Sequence, residues 1–172
     1  ILFRMLSGKL PYQSSHPLGM ITKHLTEPVP SLREVAPESL EAALERLSDD
    51  ELRRRTRHVV TEIARVEAVV RALRVGDLAE VGRIFDASHA SLRDDYEVSC
   101  AELDASVEAA RSAGALGARM TGGGFGGSSI AIMPTGRLEE ARQAIHGSFA
   151  ERGWRAPACF VATAGAAAHR DA

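Results

Sequence analysis

Cysteine is scarce in this 172-residue chain: Cys100 and Cys159 stand alone, without CxxC spacing, and His16, His24, His58, His89, His146 and His169 form no HxxxH or similar pair. Neither a disulfide framework nor a zinc site is expected, and a reducing, cytoplasmic setting fits best. A dominant charge is missing too. The formal charge is −2 with acids and bases mixed along the chain, which leaves no electrostatic footprint for nucleic acid or an anionic membrane. No apolar run approaches the ~18 residues of a membrane span. The opening ILFRMLSGK has no basic n-region, no small-residue cleavage site and no initiator Met, as expected of a chain that begins inside a longer protein. Small soluble partners are the expected kind. One domain that buries roughly 70 % of its unfolded surface is possible without staples, and a second full domain is not expected.

Periodic patterns fill the middle of the chain. Val59, Ile63, Val66, Val70 and Leu73 step by four and three, which predicts a helix from about 50 to 75 with these side chains turned inward. Gly76 stops it. Asp77 with Glu80 makes a capping box for a second helix, whose stripe is Leu78, Val81, Phe85, Ser88 and Leu92, and the two are expected to pack antiparallel. Ser99 with Glu102 reads as another capping box, opening a helix with Cys100, Leu103, Val107 and Ala110 inward and ending near Gly114.

Beyond Gly114 the period changes. Residues 116–120 and 129–133 are short apolar segments that suit buried strands, and Pro134 ends the second. A helix over about 137–152 follows, with Leu138, Ala141, Ile145 and Phe149 inward, and CFVATA (159–164) reads as a final strand. The fold class expected is α+β, helices followed by an antiparallel sheet covered on one face.

Between the two strands lies ARMTGGGFGGSSIAIMP, with five glycines among residues 122–127. Gly122, Gly124 and Gly127 satisfy GxGxxG, yet that fingerprint needs a helix after the loop and a strand follows here. GxxxxGK[ST] is absent. A tight hairpin needs one or two glycines for positive φ. Two readings stay open: a turn whose glycines serve conformation alone, and a loop whose bare backbone approaches a ligand or a neighbouring loop.

LGARMTGGGFGGSSIAIMP resembles the third signature motif of galactokinases, members of the GHMP family of small-molecule kinases. LREVAPESLEAALERL, RRRTRHVVTEIARV and FDASHASLRDDYEVSCAELD agree with the C-terminal half of that family in order and spacing, so the resemblance runs from about Ser31 to Ala164. Two departures are Ile63 where an Asn is usual and Ala101 where a Pro is usual. The resemblance implies a GHMP kinase C-terminal domain over 31–172, with a ferredoxin-like sheet, from an enzyme that phosphorylates galactose to galactose 1-phosphate with ATP and Mg²⁺. The family's GLSSS-type phosphate loop, its GRVNLIGEHTDY-like sugar motif and its catalytic Asp and Arg do not occur here. Catalytic and metal residues are therefore assigned to none, and the chain alone is expected to be inactive and to bind no cofactor. The site implied is the loop Met120, Thr121, Gly122, Gly123, Gly124, Phe125, Gly126 and Gly127, beside substrate and nucleotide; the Thr121 and Ser128 hydroxyls are read first as making local turn hydrogen bonds, with a role as further donors at the site as the alternative. On that reading a β-carbon at Gly124 acts on positioning rather than on folding. The alternative is a non-catalytic module of ferredoxin-like fold that binds a small ligand or a protein.

The first thirty residues differ. MLSGKLPY and KHLTEPVPSL resemble the C-lobe of bacterial serine/threonine protein kinases, without HRD or DFG elements. Residues 1–30 are thus expected to be a grafted fragment, loosely ordered once cut from its lobe. Asp94, Asp95 and Glu97 around Tyr96 are read as solvated acids rather than a Mg²⁺ site, Arg53, Arg54, Arg55 and Arg57 as a solvent face, and Trp154 as a packing residue.

Overall fold

The computed structural model describes residues 12–28, 40–163 and 165. They fall into two compact units, one from the described part of 1–67 with 94–97, the other from 68–93 with the described part of 98–172. Among the described residues no helix is long and apolar enough to cross a membrane.

In the first unit α1 (Pro17–Thr26) lies in the segment expected to be a fragment, and the buried Tyr12 donates its hydroxyl to the Glu27 carbonyl at 2.7 Å. The expectations for residues 1–11, 29 and 30 lie outside the described residues. A short α2 (Leu40–Glu45) buries Leu44, and Arg53 closes its end by donating to the Leu44 and Leu47 carbonyls at 3.4 and 2.7 Å. The long helix α3 (Asp50–Arg74) starts where the Asp49 carboxylate accepts the Leu52 N–H at 2.9 Å.

Its apolar stripe corrects the sequence reading: Val59, Ile63, Val66, Val70 and Leu73 are not inside but 37–64 % exposed. Periodicity marks a face that wants cover and does not say which chain provides it. The arginines of α3 also depart from a bare solvent face. Arg55 pairs with Glu97 at 2.7 Å, Arg54 reaches the same carboxylate at 3.4 Å, and Arg57 pairs with Asp95 at 3.3 Å. Tyr96 stacks on the buried His58 ring at 4.5 Å.

The second unit follows the expected order. Gly76, at φ +72°, turns the chain out of α3, and the Asp77 carboxylate accepts the Glu80 N–H at 2.9 Å to start α4 (Leu78–Asp94). Val81, Ser88 and Leu92 are buried as the stripe predicts, whereas Leu78 is exposed. Helix α5 (Ala101–Ser112) begins without a side-chain cap, because Ser99 donates its hydroxyl to the Asp104 carboxylate at 2.5 Å instead of completing the expected box with Glu102. Leu103, Val107 and Ala110 point inward and Gly114 ends the helix at φ +93°.

Strands β1 (Gly117–Thr121) and β2 (Ser128–Ile132) pair antiparallel, Gly117 opposite Ile132 and Thr121 opposite Ser128. Leu92, Leu103 and Met120 form one apolar cluster with Val98 and Cys100 against it, and Val107, Ala110 and Ala118 form a second with Ala115 and Ile145. A 3-10 turn (Thr135–Arg137) leads into α6 (Leu138–Glu151), whose Ala141 and Phe149 are buried and whose Phe149 meets Trp154 edge-on at 5.4 Å.

Two strand expectations need correction. Only β1 is buried, while β2 keeps Ile130 44 % exposed; and residues 159–163 form no strand, with Phe160 and Val161 83 and 62 % exposed. An apolar run becomes a strand only where an unpaired edge accepts it. Among the described residues the sheet therefore has two strands and the class is α+β.

Candidate functional site

The site is built outward from β1. Helix α4 and β1 touch through glycines on both sides: a β-carbon at Gly82 would collide with the Leu116 carbonyl, and one at Gly117 with the Gly82 carbonyl. That approach brings α4 side chains to the strand's backbone. The Ala118 N–H is accepted by Asp86 Oδ1 at 3.0 Å and the Met120 N–H by His89 Nδ1 at 3.3 Å. Groups two residues apart lie on one edge of a strand, so Asp86 and His89 together satisfy that edge where a further strand would otherwise pair. Asp86 also holds Arg111 of α5 at 3.1 Å.

Met120 is fully buried, and Thr121 and Ser128 are exposed and face each other as the last ladder pair. The six residues 122–127 then close the hairpin. Gly122, Gly124, Gly126 and Gly127 have φ of +86°, +85°, +126° and +94°, conformations that glycine adopts without a steric penalty. Gly124 is held inside the molecule as well. A β-carbon there would collide with the Val98 carbonyl, the group that accepts the Phe125 N–H at 2.7 Å. The expectation that a β-carbon at Gly124 acts on positioning alone is therefore corrected: the close neighbour at this glycine is the chain's own backbone.

Gly123 is different. It has no positive φ and nothing within 4 Å of where a β-carbon would stand, so no requirement of the chain itself calls for glycine. Phe125, two residues on, departs in two ways, with a left-handed φ of +58° and 77 % of its surface exposed. A bulky residue in that region costs about 1–2 kcal/mol, and the exposed ring regains none of it by burial. The tip of the loop thus offers bare backbone and an apolar ring to something outside the described structure.

The acids at 94–97 make no comparable site. Asp95 and Glu97 are engaged by Arg57, Arg54 and Arg55, and among the described residues no group of three His, Cys, Asp or Glu side chains is placed to hold a metal ion. The hydrogen bond from Arg55, with the nearby Arg54 charge, holds the Glu97 carboxyl below its ordinary range.

Sequence reasoning placed the loop and missed its supports, Asp86, His89 and Val98. Each serves a backbone group 27 to 32 positions away, which periodicity does not report; a polar His89 next to Ser88 on a buried face was the available signal.

Comparison with known proteins adds the family. Residues 69–151 match the C-terminal domain of GHMP kinases, a span that holds α4, α5, both strands, the loop and α6. The chain carries a GHMP kinase C-terminal domain. It is 50 % identical over 143 residues to the galactokinase of Streptomyces coelicolor, covering 83 % of this chain and 37 % of that one. It is 51 % identical over 116 residues to human galactokinase, covering 67 % and 29 % respectively. The crystal structure of Lactococcus lactis galactokinase complexed with galactose superposes with a TM-score of 0.66 at 34 % identity, over 84 % of this chain and 40 % of that one. The fold is therefore that of the GHMP kinase C-terminal domain, and the chain spans little more than a third of the length of the Streptomyces relative.

Proposed function

We propose that this chain is the C-terminal part of a galactokinase, and that Met120 to Gly127 lie beside the reacting groups once the remainder of such an enzyme is present. The observation that carries the reading is the loop tip, where Gly123 is glycine without an internal reason and Phe125 is strained and uncovered. Its relatives are galactokinases that extend well beyond it, and the superposed Lactococcus structure holds galactose.

The reaction proposed is transfer of the γ-phosphoryl group of ATP to the anomeric hydroxyl of galactose. Such transfer depends on aligning donor and acceptor and on neutralising charge rather than on covalent help from the protein. The described residues fit one part of that task. Bare backbone at the loop tip admits a close approach by a sugar, a phosphate group or a neighbouring loop, since no β-carbon intervenes. Among the described residues no group of three His, Cys, Asp or Glu side chains is placed to hold Mg²⁺. The chain's own contribution is to hold the loop, through Asp86, His89 and Val98. A cytoplasmic setting is part of the same reading, supported by two unpaired cysteines. So is the reading of residues 1–30 as a segment foreign to this family, and a chain beginning at Ser31 is expected to keep its urea midpoint by Trp154 fluorescence.

Reconstitution tests the proposal. The N-terminal portion of the Streptomyces coelicolor galactokinase, fused to residues 31–172, is expected to form ADP in a galactose-dependent way, and this chain alone is not. Gly123→Ala in the fusion should lower kcat/KM by about tenfold or more through misplaced reacting groups, at an unchanged melting point. A folded fusion with no galactose-dependent turnover would favour the non-catalytic module, and full activity in Gly123→Ala would remove the loop tip from the site.

A further inference from the structure

Met120 is where β1 runs into the glycine loop, and its N–H points at His89 Nδ1, 3.3 Å away. Nδ1 accepts a hydrogen bond only while it carries no proton, so the neutral ring must hold its proton on Nε2. Nε2 is buried 3.2 Å from Asp104 Oδ1, out of line for a hydrogen bond, and that same oxygen accepts the Ser99 hydroxyl. The groups around the ring are of both signs: Asp86 and Arg93 from α4, Asp104, Glu108 and Arg111 from α5, and Arg119 from β1. Burial is the largest influence and holds the imidazole below its ordinary value, with Asp104 opposing it. An open groove of about 600 Å³ between α4 and α5 runs past the ring and gives water a route to it.

We propose that His89 is a positioning residue for the glycine loop: its neutral ring pins the end of β1 through the Met120 N–H, and its protonated ring releases it. A proton taken from water by Nδ1 turns the acceptor into a donor that faces a second donor, and the contact becomes repulsive. Met120 is fully buried against Leu92 and Leu103 with Val98 packed on the cluster, so its backbone cannot shift without them. Val98 in turn holds the Phe125 N–H. A released strand end therefore reaches the loop by two routes, the peptide chain itself and the Val98 carbonyl. The proposal rests on reading the loop as the functional site, yet its chemistry is visible without substrate.

The test uses the whole chain, ¹⁵N-labelled, from pH 8 to pH 5. At pH 8 the ring nitrogens of His89 should report the Nε2–H tautomer. As His89 titrates, the exchange protection of the Met120 and Phe125 amides should fall together, by about tenfold for one lost hydrogen bond, while that of Val107 inside α5 stays constant. His89→Asn keeps a neutral acceptor near the Nδ1 position and should hold both amides at their pH 8 protection throughout. A proton on Nδ1 at pH 8, undiminished protection of either amide as His89 titrates, or the same acid loss in His89→Asn would each overturn the proposal. None of these measurements involves nucleotide or sugar. A reconstituted enzyme without activity would withdraw the kinase reading and leave the His89 clamp standing; failure of the amide measurements would do the reverse.

Discussion

Gly124→Ala is the sharpest perturbation that the loop geometry offers. Alanine at φ +85° costs about 1–2 kcal/mol in the left-handed region. The added methyl also collides with the Val98 carbonyl, and relief of that collision breaks the 2.7 Å bond from the Phe125 N–H, a further loss of about 1 kcal/mol. Together these predict a destabilisation of about 2–3 kcal/mol, for Val98 is packed on the Leu92, Leu103 and Met120 cluster and the loop cannot lift off alone. Gly123→Ala is the control one residue away, with open space, no positive φ and an expected change within about 0.5 kcal/mol. Urea unfolding followed by Trp154 fluorescence is the assay, since the single tryptophan packs on Phe149 in the same unit as the loop. Equal midpoints for the two variants would refute the claim that Gly124 is held by the chain's own backbone.

Asp86→Ala should lower stability by about 1–3 kcal/mol, because the buried Ala118 N–H loses its acceptor and Arg111 its partner; Asp86→Asn, which keeps an acceptor, should cost less, and equal losses would count against the edge contact. Gly82→Ala and Gly117→Ala should each force α4 and β1 apart at about 1–3 kcal/mol or more, and the double variant should cost less than the sum because the first methyl has already opened the gap. The Glu97 carboxyl should titrate below the usual glutamate range by NMR and move back toward it in Arg55→Met, with Arg54 still in place. Its folded value is depressed, so the stability it contributes is fully present above the ordinary carboxylate value and lost as pH falls through the folded one; a Glu97 value at or above the ordinary glutamate range would remove that contribution.

The helices of the second unit were legible because their signals are local. Asp77 sits three residues before the N–H it caps, Gly76 and Gly114 carry the positive φ that ends a helix, and the stripe of α4 is written in one turn after another. The inferences that failed needed a distant partner. The stripe of α3 reads as inward and is exposed; 159–164 reads as a strand, and 159–163 form none; Ser99 reads as a cap, and its hydroxyl goes to Asp104. The site divides in the same way. Glycine content located the loop, but Asp86 and His89 work on β1 from 32 and 31 residues away, a pairing that only the folded chain brings about.

Five glycines in one loop have more than one cause here. Four of them sit at positive φ and one of these, Gly124, also clears a carbonyl, so most of the run is explained by the path of the chain from β1 back to β2. That leaves Gly123, and next to Gly124 a phenylalanine whose backbone is strained and whose ring is in water. A loop evolved only to close a hairpin would gain stability from a β-carbon at Gly123 and from a glycine or asparagine at Phe125, by no more than about 0.5 kcal/mol for the first and about 1–2 kcal/mol for the second. Both gains are forgone at adjacent points of the loop tip, and forgone stability concentrated at one exposed place is the physical mark of a site used by something else. The exposed stripe of α3 and the uncovered Ile130 carry the same implication for the rest of a galactokinase: it has apolar surface to cover as well as a loop to meet.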